Sequence, residues 1–184
     1  MHRDRCLCEF IPVIETKTRV TLVIHAKELK RTTNTGILAT RALTNSQVLI
    51  RGVKDESLEL TELLNPVYRP VLFFPTEDAI EFTQEFMKQS DLPIHLIVPD
   101  GNWRQASKVH HRHAELSGIP RVMIKLPNTD LHHLRKETTA EGMATLQAIA
   151  HALGVIEGDK VKEQLLRLYQ LKLERTLEGR GVRI

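Results

Sequence analysis

Cysteine is scarce in this sequence: the chain of 184 residues contains two, Cys6 and Cys8. Because one residue separates them and there is no third cysteine, an ordinary structural disulfide framework is excluded. The sequence therefore predicts a protein of a reducing compartment, and we expect it to be cytoplasmic. A Cys-x-Cys pair can also supply half of a zinc site, so zinc stays open as a ligand of these two thiols.

Long apolar runs are also missing. No segment approaches the roughly 20 apolar residues that cross a bilayer, and the N-terminus lacks the apolar segment of a signal peptide. There is no internal repeat, low-complexity tract or linker. We therefore expect no membrane partner and one domain over 1–184, in which 1–16 form an N-terminal extension carrying the Cys-x-Cys pair and 179–184 form a loose tail.

The sequence does contain a regular alternation of strand-like and helix-like segments. β-Branched and apolar residues predict strands at 18–25, 47–51, 70–75, 93–99 and 121–126. Helical patterns lie at 37–43, 57–64, 77–89, 104–109, 139–153 and 161–177. Thr76 is the expected N-cap of the helix over 77–89, and Gly154 the expected end of the one over 139–153. This alternation predicts an α/β fold with a mainly parallel sheet flanked by helices.

Asp100-Gly101-Asn102-Trp103 is the most informative stretch. It contains the only tryptophan and stands between an apolar strand and a helix, at the edge where ligands bind in open parallel sheets. A carboxylate there can accept a proton, a glycine lets a ligand approach the backbone, and an indole can stack on a base. A structural interpretation is the alternative, in which Asp100 caps the helix and Trp103 fills a gap in the core.

Thr33-Asn34-Thr35-Gly36 follows the first predicted strand and would lie at the same sheet edge as Asp100. Its small polar side chains suit a ligand head group, although an N-cap with a turn explains them as well.

The net charge of the chain is low, at +3, which permits a polyanionic partner without requiring one. Several basic residues follow strand ends, which favours a phosphate-bearing partner. These are Lys27, Lys30, Arg31, Arg104, Lys108, Arg112, Arg135 and Lys136.

The histidine-rich segment at 110–113 has two interpretations. His110 and His113 lie one helical turn apart, a spacing that suits a metal ion. We favour a solvated basic helix face.

Read together and in order, these segments resemble the DTW-domain family of tRNA-uridine aminocarboxypropyltransferases. The resemblance covers nearly the whole chain. It runs through Cys6-x-Cys8, His25-x-Lys27-Glu28-x-x-Arg31, Thr33 to Gly36, PVLFFP at 70–75, PDGNW at 99–103, Leu134 to Glu137 and Ala144 to Ala148. Three positions depart from the family's pattern: Asn102 replaces Thr in Asp-x-Thr-Trp, while Ala144 and Gln147 replace Ser and Glu in Ser-Thr-Leu-Glu-Ala. The upstream cysteine pair usual in the family is not in this sequence.

The resemblance implies that S-adenosylmethionine donates its 3-amino-3-carboxypropyl group to N3 of a uridine in tRNA, releasing methylthioadenosine. The family is similar to the SPOUT methyltransferases, which implies a SPOUT-like fold with a C-terminal trefoil knot. The alternatives are a SPOUT-like RNA methyltransferase, an inactive tRNA-binding protein and, more distantly, a small-molecule α/β enzyme. No obligate protein partner and no particular oligomeric state is predicted.

Residue roles follow from the resemblance by matching position. Asp100 is implied as the base that accepts the N3 proton, and Trp103 is expected to stack on the uridine. The residues implied to contact the cofactor are Asn34, Thr35, Gly36, Phe74, Pro75, Pro99, Gly101, Asn102, Trp103, Leu126, Pro127, Arg135 and Thr145. The residues implied to hold tRNA phosphates are Arg31, Arg104, Lys108 and Lys136.

Overall fold

The predicted strands form one parallel sheet in the computed structural model of the protein. The structure describes residues 6–53, 60–125 and 143–181, and gives the backbone alone for 103, 104, 110–112 and 114. Within these residues six strands are hydrogen-bonded in the order β2-β1-β5-β3-β6-β4, and every neighbouring pair is parallel. The predicted α/β class, with a parallel sheet flanked by helices, is confirmed.

Strands and helices follow one another along the described chain. The strands are β1 (Arg19–His25), β2 (Ser46–Arg51), β3 (Arg69–Phe73), β4 (Ile80–Glu81), β5 (Ile94–Asp100) and β6 (Arg121–Met123). The helices are α1 (Gly36–Ala42), α2 (Gln84–Met87), α3 (Trp103–Arg112), α4 (Thr145–Glu157) and α5 (Asp159–Gly179). Short 3-10 helices occupy Cys8–Phe10, Ala26–Glu28, Thr61–Leu64 and Ala114–Leu116. None of the described helices combines the length and apolarity needed to cross a bilayer.

Side chains alternate between the two faces of the sheet, and each face carries its own core. On one face, Leu22 and Ile24 of β1 pack with Leu96 of β5 and with apolar residues of α1, α4 and α5. On the other face, Val23 and Ile97 pack with apolar residues of α3 and its flanking turns. Since the alternation has a period of two, Asp100 at the end of β5 falls on the face that α1 and α4 cover.

The helix predicted over 77–89, with Thr76 as its cap, is wrong. Residues 80 and 81 form strand β4, which pairs with β6 through Ile80↔Val122 and Glu81↔Met123. The helix begins later, as α2, and its N-cap is Thr83, whose hydroxyl accepts a hydrogen bond from the Phe86 amide (3.4 Å). Pairing with a strand distant in sequence has overridden the local helical pattern.

The predicted end of the helix over 139–153 is also wrong. Helix α4 continues through Gly154 to Glu157, and its C-cap is Gly158, which has a φ of +97°. Gly154 serves packing instead, because a Cβ there would lie 2.8 Å from Cδ of Lys162 on α5. The glycine therefore lets α4 and α5 approach closely, and the left-handed conformation that ends the helix falls four residues later.

Other predicted boundaries fall partly outside the described residues. Strand β6 ends at Met123, and the predicted extension to 126 crosses into the undescribed part of the chain. The helical spacing over 57–64 becomes a 3-10 helix at Thr61–Leu64, while 54–59 are not described. Segment 126–142 lies outside the description as well, so the predicted C-terminal knot stays a prediction, as do the domain bounds and the loose tail.

A buried polar network lies at the amino-terminal half of the sheet. His95 is fully buried, and its Nε2 lies 2.7 Å from the hydroxyl oxygen of Thr21. Gln47 donates to the same oxygen (3.0 Å), and a neutral imidazole can either accept from this hydroxyl or donate to it. Burial, aided by the positive charge of Arg19, lowers the pKa of His95 to about 4.

We predict that this histidine makes stability depend on pH. The unfolded chain takes up a proton near pH 6.5, whereas the folded chain does so near pH 4. The contribution of neutral His95 to the free energy of unfolding should therefore be fully present above pH 6.5. It should be lost as the pH falls toward 4, which lowers the free energy of unfolding by up to about 3 kcal/mol. Urea unfolding between pH 4 and 7.5 measures the slope, which His95→Gln should flatten. The same substitution at half-buried His113 is the control, and an equal effect there would contradict the assignment.

Candidate active site at the carboxyl edge of the sheet

Three separate segments of the chain meet at the carboxylate of Asp100. The side chain is buried at the end of β5, with 5% of its surface exposed. Its Oδ2 accepts a hydrogen bond from Nδ2 of Asn34 (2.5 Å), and its Oδ1 accepts one from the hydroxyl of Thr145 (2.6 Å). Both carboxylate oxygens are thus held by neutral donors, one from the loop before α1 and one from the first residue of α4.

The orientation of Asn34 is fixed by its own loop. Its Oδ1 accepts a hydrogen bond from the amide of Ile37 (3.2 Å), so the amide nitrogen is the atom that faces Asp100. The loop is built from consecutive turns, in which the Arg31 amide donates to the Glu28 carbonyl and the Asn34 amide to the Arg31 carbonyl (both 3.0 Å). Glu28 has a fully buried side chain that pairs with Arg31 (3.3 Å).

The absence of a side chain at Gly36 leaves space for the carboxylate of Asp100. A Cβ on this residue would lie 2.9 Å from Cδ1 of Leu22 and 3.0 Å from Oδ2 of Asp100. Any other residue would press on the carboxylate from one side and on the core from the other. The sequence Asn34-Thr35-Gly36 therefore combines a hydrogen-bond donor with the close approach that brings it to the acid.

The start of α4 is capped from another segment of the chain. Ala144 occupies the N-cap position and has no side chain to accept a hydrogen bond. The hydroxyl of Thr35 accepts one from the Leu146 amide instead (3.2 Å), and Oε1 of Gln147 accepts one from the Ala144 amide (3.1 Å). Thr35 therefore ties α4, and with it Thr145, to the loop that carries Asn34.

The start of α3 is a complete capping box. Asn102 accepts a hydrogen bond from the Gln105 amide through Oδ1, and Oε1 of Gln105 accepts one from the Asn102 amide (both 2.9 Å). The residue that caps this helix is therefore Asn102, and the structural interpretation of Asp100 as its cap is wrong. Gly101 joins strand to helix with a φ of +155°, a conformation that favours glycine.

The structure brings together only part of the predicted cofactor set. Asn34, Thr35, Gly36 and Thr145 surround Asp100, while the Asn102 side chain is engaged in the capping box. Phe74, Pro75 and Pro99 follow or end β3 and β5 at the same edge. Phe74 and Pro99 are buried, whereas Pro75 is exposed. The side chains of Trp103 and Arg104, and residues Leu126, Pro127, Arg135 and Lys136, lie outside the description.

A basic cluster borders the site at the ends of β1 and β2. His25 and Arg51 are register partners, and Lys27 and Lys108 lie close enough to influence His25. Burial lowers the pKa of His25, and the positive charges of Arg51, Lys27 and Lys108 lower it further. Arg51 is buried and donates a hydrogen bond to the carbonyl of Gln105 in the first turn of α3. Sequence reasoning gave Arg51 no role, because nothing local marks a strand-end arginine as a helix anchor.

The two cysteines lie together at the surface. The Cys6 and Cys8 sulfur atoms share a hydrogen bond across 3.0 Å, and both residues are exposed. This hydrogen bond lowers the pKa of Cys6 and raises that of Cys8. In the described part of the chain, no group of three or more His, Cys, Asp or Glu side chains could hold a metal ion. Zinc binding at this pair therefore stays a prediction, as does the role of the His110–His113 segment.

A buried carboxylate, ringed by small polar residues at the carboxyl edge of a parallel sheet, defines an α/β protein with a candidate ligand site at that edge. The chain belongs to the DTW-domain family, whose model matches residues 1–177. It is similar to tRNA-uridine aminocarboxypropyltransferase 2 of Macaca fascicularis, with 23% identity over 171 residues, and to that of Mus musculus, with 24% identity. Each alignment covers 90% of this chain, but the chain spans only 57% of the relatives' length.

A solved structure has a similar fold. It is that of the SAM-dependent rRNA:acp-transferase Tsr3 from Vulcanisaeta distributa, with a TM-score of 0.51 and 12% sequence identity. The match covers 88% of this chain and 79% of that chain. At this identity the likeness establishes the fold.

We predict that the capping box at Asn102 tolerates threonine but not alanine. Asn102→Ala should lower the free energy of unfolding by about 1 kcal/mol, because the Gln105 amide loses its acceptor. Asn102→Thr keeps a side-chain oxygen and should change it by only a few tenths of a kcal/mol. Urea denaturation of both variants provides the measurement, and equal losses would rule out the capping role.

A serine at position 144 is expected to stabilise the protein. Ala144→Ser would give the first turn of α4 the side-chain acceptor that it lacks, and should raise the free energy of unfolding by about 0.5–1 kcal/mol. Ala148→Ser, inside the same helix, is the matched control and should give no gain. Thermal unfolding of the two variants tests the difference, and equal melting temperatures would count against the cap.

Proposed function

We propose that this protein transfers the 3-amino-3-carboxypropyl group of S-adenosylmethionine to N3 of a uridine in tRNA, with release of methylthioadenosine. The observation that carries the proposal is the buried carboxylate of Asp100, on which the loop before α1 and the start of α4 converge. Membership of the DTW-domain family and the similarity to mammalian tRNA-uridine aminocarboxypropyltransferases support it. Cytoplasmic location and a SPOUT-like knot stay predictions alongside it.

The reaction requires the protein to select one carbon of the sulfonium and to accept the proton of N3. The N3 lone pair of uracil forms a bond to the first carbon of the aminocarboxypropyl chain, and the bond from that carbon to the sulfonium sulfur breaks, leaving its electron pair on sulfur. The sulfonium has three such carbons, so the site must select one by positioning. N3 also carries a proton, which must be accepted as the new bond forms, and we assign that role to Asp100.

The donors around Asp100 fit this assignment. Asn34 donates to one carboxylate oxygen and Thr145 to the other, and an ionised carboxylate is an acceptor with capacity for several hydrogens. Asn34 and Thr145 fix the orientation of the group, and both are only half-buried, so they can also contact a bound ligand. Asn34 has a second N–H to offer the carboxylate of the donor substrate, and the Thr145 oxygen can accept from its ammonium group.

Two residues first assigned to cofactor contacts are better explained as positioning residues. The Thr35 side chain is 97% buried and caps α4, and Gly36 makes room for the acid. Arg31 and Lys108 remain accessible at the same edge and are suitable contacts for RNA phosphates. The proposal therefore separates a donor site near Asn34 and Thr145 from a basic rim for the RNA.

The departures from the family's pattern argue against an inactive protein. Asn102, Ala144 and Gln147 all occupy helix-capping positions, whereas Asn34 and Thr145 are the residues that donate to Asp100. Asn is as good an N-cap as Thr, Gln147 keeps the reciprocal half of a capping box, and Thr35 supplies an acceptor beside Ala144. The three changes therefore preserve the geometry of the acid.

One experiment separates the proposal from its alternatives. The protein is incubated with unmodified tRNA and two preparations of S-adenosylmethionine, one labelled in the carboxyl carbon and one in the methyl group. Aminocarboxypropyl transfer places the carboxyl label in RNA and leaves the methyl label in methylthioadenosine. Methyl transfer gives the reverse, with S-adenosylhomocysteine as by-product. If neither label reaches the RNA, the enzyme proposal fails and the tRNA-binding alternative stands.

Asp100→Asn should lower the rate of transfer at least about 100-fold, because the amide has no carboxylate to accept the N3 proton. Binding of S-adenosylmethionine, measured by calorimetry, should change little. Asp91→Asn is the matched control: it makes the same change at an exposed position before the amino end of β5 and should leave the rate unaltered. Turnover close to that of the unmodified protein would remove Asp100 from the role of base.

A further inference from the structure

We infer that a cavity formed by the Cys-x-Cys segment, the loop before α1 and the helices α1 and α5 binds a phosphate-bearing nucleotide of the RNA substrate beside the reacting uridine. The inference rests on the proposed function for the identity of the RNA. It adds a binding site and two residues, Arg41 and Lys172, that neither the sequence patterns nor the comparisons indicate.

The cavity has the size of a ligand site and touches the candidate active site. Its volume is about 360 Å³, within the roughly 300–1,000 Å³ of small-molecule pockets and too large for a bare ion. Asn34 lines it, and the same side chain donates to the carboxylate of Asp100. A ligand in the cavity is therefore one side chain away from the acid.

Three cations line the cavity. Arg31 stands at the loop before α1, Arg41 in the last turn of α1, and Lys172 on α5. No acidic residue is among the described residues of the lining, although Glu28 pairs with Arg31. The positive charge comes from three separate elements that converge on one space, which is what an anionic ligand requires.

Lys172 is the most unusual of these cations. It is 6% exposed, in the apolar stripe of α5 where a leucine would be expected, and neighbours Leu168 and Leu173 are buried with it. Burial lowers its pKa, and the positive charge of Arg180 adds to that effect. An anion bound in the cavity would meet this ammonium group beside apolar side chains, where the attraction between opposite charges is stronger than in water.

The remaining walls are apolar, which favours a nucleotide over a free anion. Leu7, Ile11, Leu29, Ile37 and Leu38 form most of the lining. Such walls suit the face of a base or ribose, while the cations suit its phosphate. The amino acid end of S-adenosylmethionine fits less well, because its ammonium group needs an acceptor and the described lining has no acid to provide one.

Two substitutions test the cavity against matched controls. Arg41→Gln and Lys172→Met remove single charges from the lining. Arg167→Gln and Lys160→Met make the same changes at exposed positions of α5 that do not line it. Each cavity variant should weaken tRNA binding about five- to tenfold and reduce the slope of log affinity against log salt by about 0.7–0.9. The dissociation constant for S-adenosylmethionine should not change, and the controls should resemble the unmodified protein.

The outcomes decide between sources of the anion. Weaker binding of S-adenosylmethionine with unchanged tRNA binding would assign the cavity to the donor and overturn the inference, as would variants that match their controls. The transfer assay on the unmodified protein is read separately. If the unmodified protein transfers the group and the cavity variants bind tRNA with unaltered affinity, the inferred nucleotide site is wrong but the proposed function stands. Weakened tRNA binding with no transfer by the unmodified protein removes the function but not the cavity.

The two cysteines provide an independent footprint. They are the only thiols of the chain, both are exposed, and both line the cavity. In a buffer with a metal chelator, alkylation by iodoacetamide is followed by mass spectrometry. Saturating tRNA should slow the reaction, whereas S-adenosylmethionine alone should not. An unchanged rate with bound tRNA would place the RNA elsewhere.

Discussion

The hydrogen bonds from Asn34 and Thr145 to the Asp100 carboxylate set the arrangement of the rest of the site. A carboxylate that is almost fully buried is costly unless both of its oxygens are bonded, and here the donors come from Asn34 and Thr145. These residues belong to segments 111 positions apart in sequence, and Thr35 links the same two segments through the Leu146 amide. The loop before α1, the end of β5 and the start of α4 therefore have to be placed together.

Helix capping explains why the chain can depart from its family's motifs and keep this geometry. Asn102 and Gln105 satisfy each other at the start of α3, which fixes where that helix begins. At α4 the same task is divided between Gln147 and Thr35, since Ala144 has no acceptor of its own. In the motifs at 100–103 and 144–148, some residues specify where a helix begins. Asp100 and Thr145 are the members of these motifs that meet at the candidate site.

The proposed donor site and the proposed nucleotide cavity share Asn34. Its amide group reaches Asp100, while the residue also lines the cavity together with Lys172 and Arg41. A substrate held in the cavity by its phosphate would thus be held by the same loop that orients the acid. Since a carboxylate works as a base only when the proton lies within hydrogen-bond distance, binding and chemistry would depend on one rigid loop.

Local sequence patterns were enough to predict many of the strands and helices and part of the candidate site. Alternation and apolar runs predicted β1, β5 and the stripe of α5, and they placed Asn34 and Asp100 after strands whose ends meet at one edge. Pattern failed at 77–89, where pairing of Ile80 with Val122 replaced a helix, and at Gly154, where packing on Lys162 mattered more than helix termination. Only the tertiary structure decided that β1 lies beside β5, so that Asn34 reaches Asp100, and that Lys172 lines a cavity. The physical reason is that strand order and helix docking depend on contacts between residues far apart in the chain, whose energies no local periodicity records.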